Sequence, residues 1–145
     1  MAYTLTFTIN NWKPLSARAG MMAATTDYTL AVTPTGGAVV VDSSDNVTVT
    51  STVATPLTIA VQAPTPGDPV YTALAIFFKG TGLVDPRGAL GFGAYSRTAG
   101  SSSLQITDNG PLGNQASTAY NFYIVVQNVS TGDIGIIDPL ITNVD

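Results

Sequence analysis

The chain opens on strict alternation. Tyr3, Leu5, Phe7 and Ile9 fall on one face of an extended segment, and Thr4, Thr6 and Thr8 fall on the other. That period of two is the signature of a half-buried β-strand. Residues 28–32 predict a second short strand, ended by Pro34 and the Gly36-Gly37 pair. Residues 38–41 are apolar and run into a polar turn at 42–46. Val47, Val49 and Val53 then alternate with Thr48, Thr50 and Thr52, and Leu57, Ile59 and Val61 carry the pattern on after Pro56. The prolines at 64, 66 and 69 forbid a ladder there, because proline lacks the N–H that a ladder needs. Residues 71–79 are the most apolar stretch, and Ala75-Ile76-Phe77-Phe78 reads as strand buried on both faces. A loop is expected over 80–88. A further strand is expected over 89–97, with Gly91 and Gly93 hinting at a bulge, and another over 104–107. In 119–129, Tyr120, Phe122, Ile124 and Val126 share one face and Tyr123 and Val125 the other, which predicts the central core strand. Residues 130–133 turn it back into a strand at 134–137 as a hairpin. Asp138-Pro139 then ends that strand, and a second short extended piece follows.

Eight to ten short strands result, spaced by turn signals. No segment has a persuasive amphipathic helix period; Met21-Met22-Ala23-Ala24 is the one place where a helical turn fits. The prediction is an all-β chain, a β-sandwich of two antiparallel sheets. No repeat and no linker divides it, so residues 1–145 are expected to form a single domain. Composition strengthens the strand reading. All nine acids are Asp, a residue that favours turns, and Glu, a good helix former, is absent. Charged residues make up only 10% of the chain, against a usual value of about 25%. Hydroxyls and amides must therefore supply solubility. Weak mutual repulsion also favours self-association.

Charge and targeting narrow the function classes. The net charge is −4 and the five basic residues are scattered, which argues against a nucleic-acid partner. No apolar run is long enough for a membrane span. Residues 1–10 have no basic region ahead of a continuous apolar one, so no signal peptide is expected and cytoplasmic residence is the prediction. On that footing the sequons at Asn46 and Asn128 read as chance matches.

Catalytic vocabulary is sparse. The chain has no His and no Cys, so a serine nucleophile lacks its usual base and no thiolate exists. Pairs of aspartates could in principle run glycoside hydrolysis, but turn-type aspartates form pairs by chance. The expectation is a protein that is not an enzyme and carries no cofactor. Candidate ligand-binding residues are Asn11 and Trp12 at a strand end, where an indole can stack on a sugar ring while amides bond hydroxyls. Tyr95 and Arg97 offer a similar aromatic-polar surface. The competing reading makes Trp12 a partly buried lid over the sandwich end. Candidate metal ligands are Asp138, Asn143 and Asp145, an oxygen set suited to calcium. Their structural reading is a strand stop and a capped turn. Asp42, Asp45 and Asn46 form a second oxygen-rich loop that reads first as a polar turn.

The C-terminal half carries short motifs in a telling order. Tyr120-Asn121-Phe122-Tyr123-Ile124-Val125-Val126 is followed by Ser130-Thr131-Gly132-Asp133 and then by Asp138-Pro139-Leu140-Ile141-Thr142-Asn143. Upstream, Phe77-Phe78 precedes a Gly-containing loop. Over residues 71–145 this arrangement resembles the AidA/PixA inclusion-body protein group and the related DP-EP family of small bacterial proteins. Leu140-Ile141 stands where that family has a second acidic-proline pair. The resemblance implies an immunoglobulin-like sandwich with no catalytic activity and no functional residue to carry over. It also implies accumulation as cytoplasmic inclusions. The expected function is therefore a homo-oligomer that self-assembles through sheet edges or an exposed apolar face. The alternative is a carbohydrate-binding module, assisted by calcium.

Overall fold

Alternating residues become strands because one face of each can be buried. The computed structural model of the chain describes residues 2–15, 27–50, 54–67, 69–78, 95–108, 117–138 and 140–144. In chain order its strands are β1 (Tyr3–Asn11), β2 (Asp27–Thr33), β3 (Val39–Val41), β4 (Val47–Thr50), β5 (Thr55–Gln62), β6 (Tyr71–Phe78), β7 (Leu104–Asp108), β8 (Ser117–Asn128), β9 (Ile134–Ile137) and β10 (Leu140–Val144). The fold is all-β, with no helix among the described residues. The helical turn considered at 21–24, the loop at 80–88 and most of the strand expected at 89–97 lie outside the described residues.

Two sheets hold these strands. One has the order β2-β1-β5-β7; the other has the order β3-β4-β10-β8-β6, with β9 also paired to β8. The prediction of purely antiparallel sheets needs correction, since each sheet contains one parallel pair, β1 with β5 and β4 with β10. A parallel neighbour requires a crossover. After the β1–β2 hairpin the chain builds β3 and β4 in the other sheet, and β5 then returns beside β1.

Buried side chains of both sheets form one cluster, so the sheets face each other across a shared core. Leu5 and Phe7 from β1, Ile124 and Val126 from β8 and Ile137 from β9 all belong to this cluster, each at 0% exposure. Each such side chain contributes about 1.5–3 kcal/mol relative to an exposed one.

β8 is the central strand of the larger sheet, as its pattern predicts. β6 pairs along one stretch of it; β9 and β10 pair with successive parts of it. The β8–β9 hairpin is closed by the Asn128 N–H donating to the Asp133 carbonyl at 2.9 Å, and by Asn128 Oδ1 accepting from Ser130 N–H at 3.0 Å. Gly132 there has φ +79°, a conformation that glycine adopts at no steric cost. β9 ends before Asp138-Pro139, yet Ile137 opposes Ile124 and Leu140 opposes Asn121, so pairing resumes in the same register. The expected break interrupts the ladder without redirecting the strand.

β6 departs from expectation more sharply. Its register against β8 slips by one residue between Ala73 and Ala75. An inserted residue flips the faces that follow it. Tyr71 and Ala73 point inward before the bulge and Ile76 after it, which turns Phe77 outward at 55% exposure. The strand is not buried on both faces as its composition suggests.

Candidate functional site

The residues singled out for ligand binding separate in space. A register shift at the end of β1 sends neighbouring side chains in different directions. Asn11 Nδ2 donates to Asp27 Oδ2 at 3.5 Å, and Lys13 forms an ion pair with Asp27 at 3.2 Å. Both partners of that pair are exposed, so it contributes at most about 1 kcal/mol. Trp12 turns inward instead and packs on the core, its ring 5.2 Å from that of Tyr71. The Trp12 Nε1 is buried and has no acceptor among the described residues. Tyr95 stands in solvent at 42% exposure, while the Arg97 guanidinium donates to the Ala73 carbonyl. Trp12 and Arg97 thus converge on the start of β6, one through a ring and one through a backbone carbonyl. Asn11 is held on Asp27 instead, and Tyr95 faces solvent.

Beside that point lies a groove of about 330 Å³, lined by Gln62, Pro64, Pro66, Pro69, Tyr71 and Ser102 among others. From the sequence alone, the prolines at 64, 66 and 69 predict only that no ladder forms there. The available signal was the position of this stretch between two apolar strands, with a tyrosine just after it. Burial raises the Tyr71 phenol above its ordinary pKa. The groove therefore offers a neutral phenol, an amide and a hydroxyl on a proline-rich frame that is polar and apolar in about equal parts. Such a surface can stack and hydrogen-bond an uncharged ligand. Gln62 already donates to Thr8 Oγ1 at 3.1 Å.

The oxygen-rich positions follow a different logic. Asp42 accepts from Ser44 N–H at 2.8 Å and from Asn46 N–H at 3.0 Å. These bonds, Asn46's first, hold its carboxyl below the ordinary value. Asp45 has φ +59°, and its Oδ1 accepts the Leu30 N–H from β2 at 3.1 Å. Tyr28, partly buried and 5.3 Å from the Phe7 ring, has its pKa pushed up to about 12 by burial and then by Asp45 and Asp138. The two oxygen-rich segments, far apart in sequence, thus act on one phenol. Of the other proposed metal ligands, Asn143 lies opposite Thr118 in the β10–β8 ladder, and Asp145 is outside the described residues. Among the described residues no group of three or more His, Cys, Asp or Glu side chains gathers.

Edges and faces bear on self-association. An open edge strand is a template for pairing with another chain. Here the Asp45 carboxylate occupies the Leu30 N–H on the outer edge of β2. Ser96 exchanges two backbone bonds of 2.8 Å with Gln105, covering part of β7. Ser102 and Arg97 bond both backbone groups of Ala73 on β6. β3 is only three residues long. The outer faces are unlike each other. That of the four-stranded sheet carries in-register polar rows such as Thr33–Thr4–Thr58 and Thr29–Thr8–Gln62. That of the larger sheet exposes Phe77.

No family model and no curated protein matches the chain.

Proposed function

We propose that this chain is a non-enzymatic, self-assembling protein of the AidA/PixA inclusion-body type, accumulating in the cytoplasm as an immunoglobulin-like sandwich. The observation that carries the reading is apolar surface on a weakly charged body. Among the described residues Phe77, Val129, Val40, Val70 and Tyr95 are large hydrophobics at 42–55% exposure, while only 10% of the whole chain is charged. The occupied positions on the edge strands favour assembly through faces over assembly through edges. Sedimentation from micromolar to millimolar concentration tests it. Concentration-dependent association is the expected result, and a strict monomer at millimolar concentration would sink the proposal.

A second reading has its own observation. The groove with Gln62, Tyr71 and Ser102 fits an uncharged hydroxylated ligand, as a carbohydrate-binding module requires. A glycan array run with calcium and again with chelator separates the two. Saturable binding to a defined sugar set favours the lectin reading, and loss of that signal with chelator adds a calcium site. A blank under both conditions leaves self-assembly.

A further inference from the structure

We infer that the groove beside Tyr71 seats one neutral sugar ring, its hydroxyls on Gln62, Tyr71 and Ser102, without a metal ion. The inference rests on the carbohydrate reading and supplies the ligand chemistry of its site.

The lining sets the class of ligand. Among the described residues that line the groove, the polar side chains are the Gln62 amide, the Tyr71 phenol and the Ser102 hydroxyl. Each of these groups both donates and accepts hydrogen bonds, and so does a sugar hydroxyl. Pro64, Pro66 and Pro69 supply apolar ring surface beside them. A sugar ring carries hydroxyls around its rim and C–H groups on its faces, so a lining that is polar and apolar in about equal parts meets both. Calcium binds through several oxygens, carboxylates foremost, and the described lining holds no carboxylate. Asp68 belongs to the same loop by sequence and is outside the described residues.

Charges at this end of the sandwich point elsewhere. The described ones are Lys13, Asp27, Arg97 and Asp133, and none of them lines the groove. Lys13 pairs with Asp27 at 3.2 Å, and Arg97 donates to the Ala73 carbonyl. A charged ligand would lose its hydration here without gaining a counter-charge.

The binding groups are held in place before a ligand arrives. Gln62 donates one amide N–H to Thr8 Oγ1 at 3.1 Å, which orients its carbonyl oxygen as an acceptor. The Ser102 carbonyl accepts the Ala73 N–H at 3.0 Å, and the flanking Ser101 and Ser103 hydroxyls bond each other at 2.9 Å. Tyr71 is braced by the Trp12 ring at 5.2 Å. Little ordering is then left to oppose binding. The volume of about 330 Å³ stands at the low end of the roughly 300–1,000 Å³ found for ligand clefts, which suits one ring. So few contacts give a dissociation constant on the order of a millimolar.

Trp12 is the single tryptophan of the chain and packs on Tyr71, so its fluorescence reports occupancy of the groove. The full chain is titrated with methyl glucoside, galactoside, mannoside and N-acetylglucosaminide, once with calcium and once with chelator. At least one of them should saturate the signal equally under both conditions. Tyr71→Phe and Ser102→Ala each remove one hydroxyl and should each weaken that binding about three- to tenfold. Thr6→Ala, on the outer face of the four-stranded sheet, should stay within about twofold of wild type. Near-ultraviolet dichroism checks that each variant is folded. If a glycoside binds but both folded groove variants bind it as wild type does, or chelator abolishes binding, this site is wrong and the carbohydrate reading survives with another. If no glycoside moves the Trp12 signal, the groove proposal falls, and a blank glycan array then takes the carbohydrate reading with it.

Discussion

Replacing Asp45 by alanine should destabilise the protein by about 2–4 kcal/mol, although the side chain sits in a short polar turn. Two terms make up that figure. The carboxylate accepts the Leu30 N–H at 3.1 Å, and a hydrogen bond to a charged group contributes about 1.5–3 kcal/mol. Partial exposure places this bond toward the lower end. The backbone at φ +59° adds about 1 kcal/mol, because alanine tolerates the left-handed region less well than aspartate does. Asp45→Gly removes the first term and relieves the second, so it should be about 1 kcal/mol more stable than Asp45→Ala. Asp45→Asn keeps an acceptor oxygen and the backbone tolerance, and should lose less than about 1 kcal/mol. Urea denaturation followed by Trp12 fluorescence reads the series. With a slope of about 2 kcal/mol per molar, the alanine variant's midpoint should fall by about 1–2 M. The same bond occupies the edge of β2, so the alanine variant should also aggregate more readily. Alanine within about 0.5 kcal/mol of wild type, or glycine less stable than alanine, would refute this account of the turn.

Two further perturbations probe the contacts between sheets. A Cβ added at Gly37 would lie 2.1 Å from the Tyr3 hydroxyl oxygen, and that oxygen accepts the Ala38 N–H at 2.9 Å. Gly37→Ala should therefore cost about 1–3 kcal/mol by overpacking, and Tyr3→Phe about 1–2 kcal/mol by stranding the N–H. The double variant should lose less than the sum in a denaturation cycle, and strict additivity would contradict the contact. Alkaline stability should report Tyr28, whose folded pKa of about 12 exceeds the unfolded value of 10.0. The folded state holds its proton longer, so this contribution is complete below about pH 10 and is lost as pH rises toward about 12. Discounted for partial exposure, it amounts to about 1–2 kcal/mol. Relative to wild type, Tyr28→Phe should lack this component of the alkaline decline; parallel curves would contradict it.

Several elements were legible from side-chain order. The alternation at Tyr3, Leu5, Phe7 and Ile9 reappears as the inward face of β1, and Ile124 and Val126 reappear as the buried centre of β8. Ser130-Thr131-Gly132-Asp133 turns one strand onto the next as its residue types demand. At the candidate sites, Trp12 and Asp45 stand out in the sequence, whereas their partners Tyr71 and Leu30 do not. Tyr71, Ser102 and the prolines met only when β5, β6 and the 95–103 segment came together.

The sequence by itself determined which residues form strands, where the chain turns and which side of most strands is apolar. Those properties depend on neighbours two to five residues away, through strand period and turn conformation. Tertiary structure decided the parallel partners β1–β5 and β4–β10, the convergence of Asp45 and Asp138 on Tyr28, and the one-residue slip that turns Phe77 outward. A period of two specifies a face and says nothing about which strand lies alongside or in what direction. Partners are selected by the packing of one common core between two sheets, and a bulge is visible only against the strand it slips past.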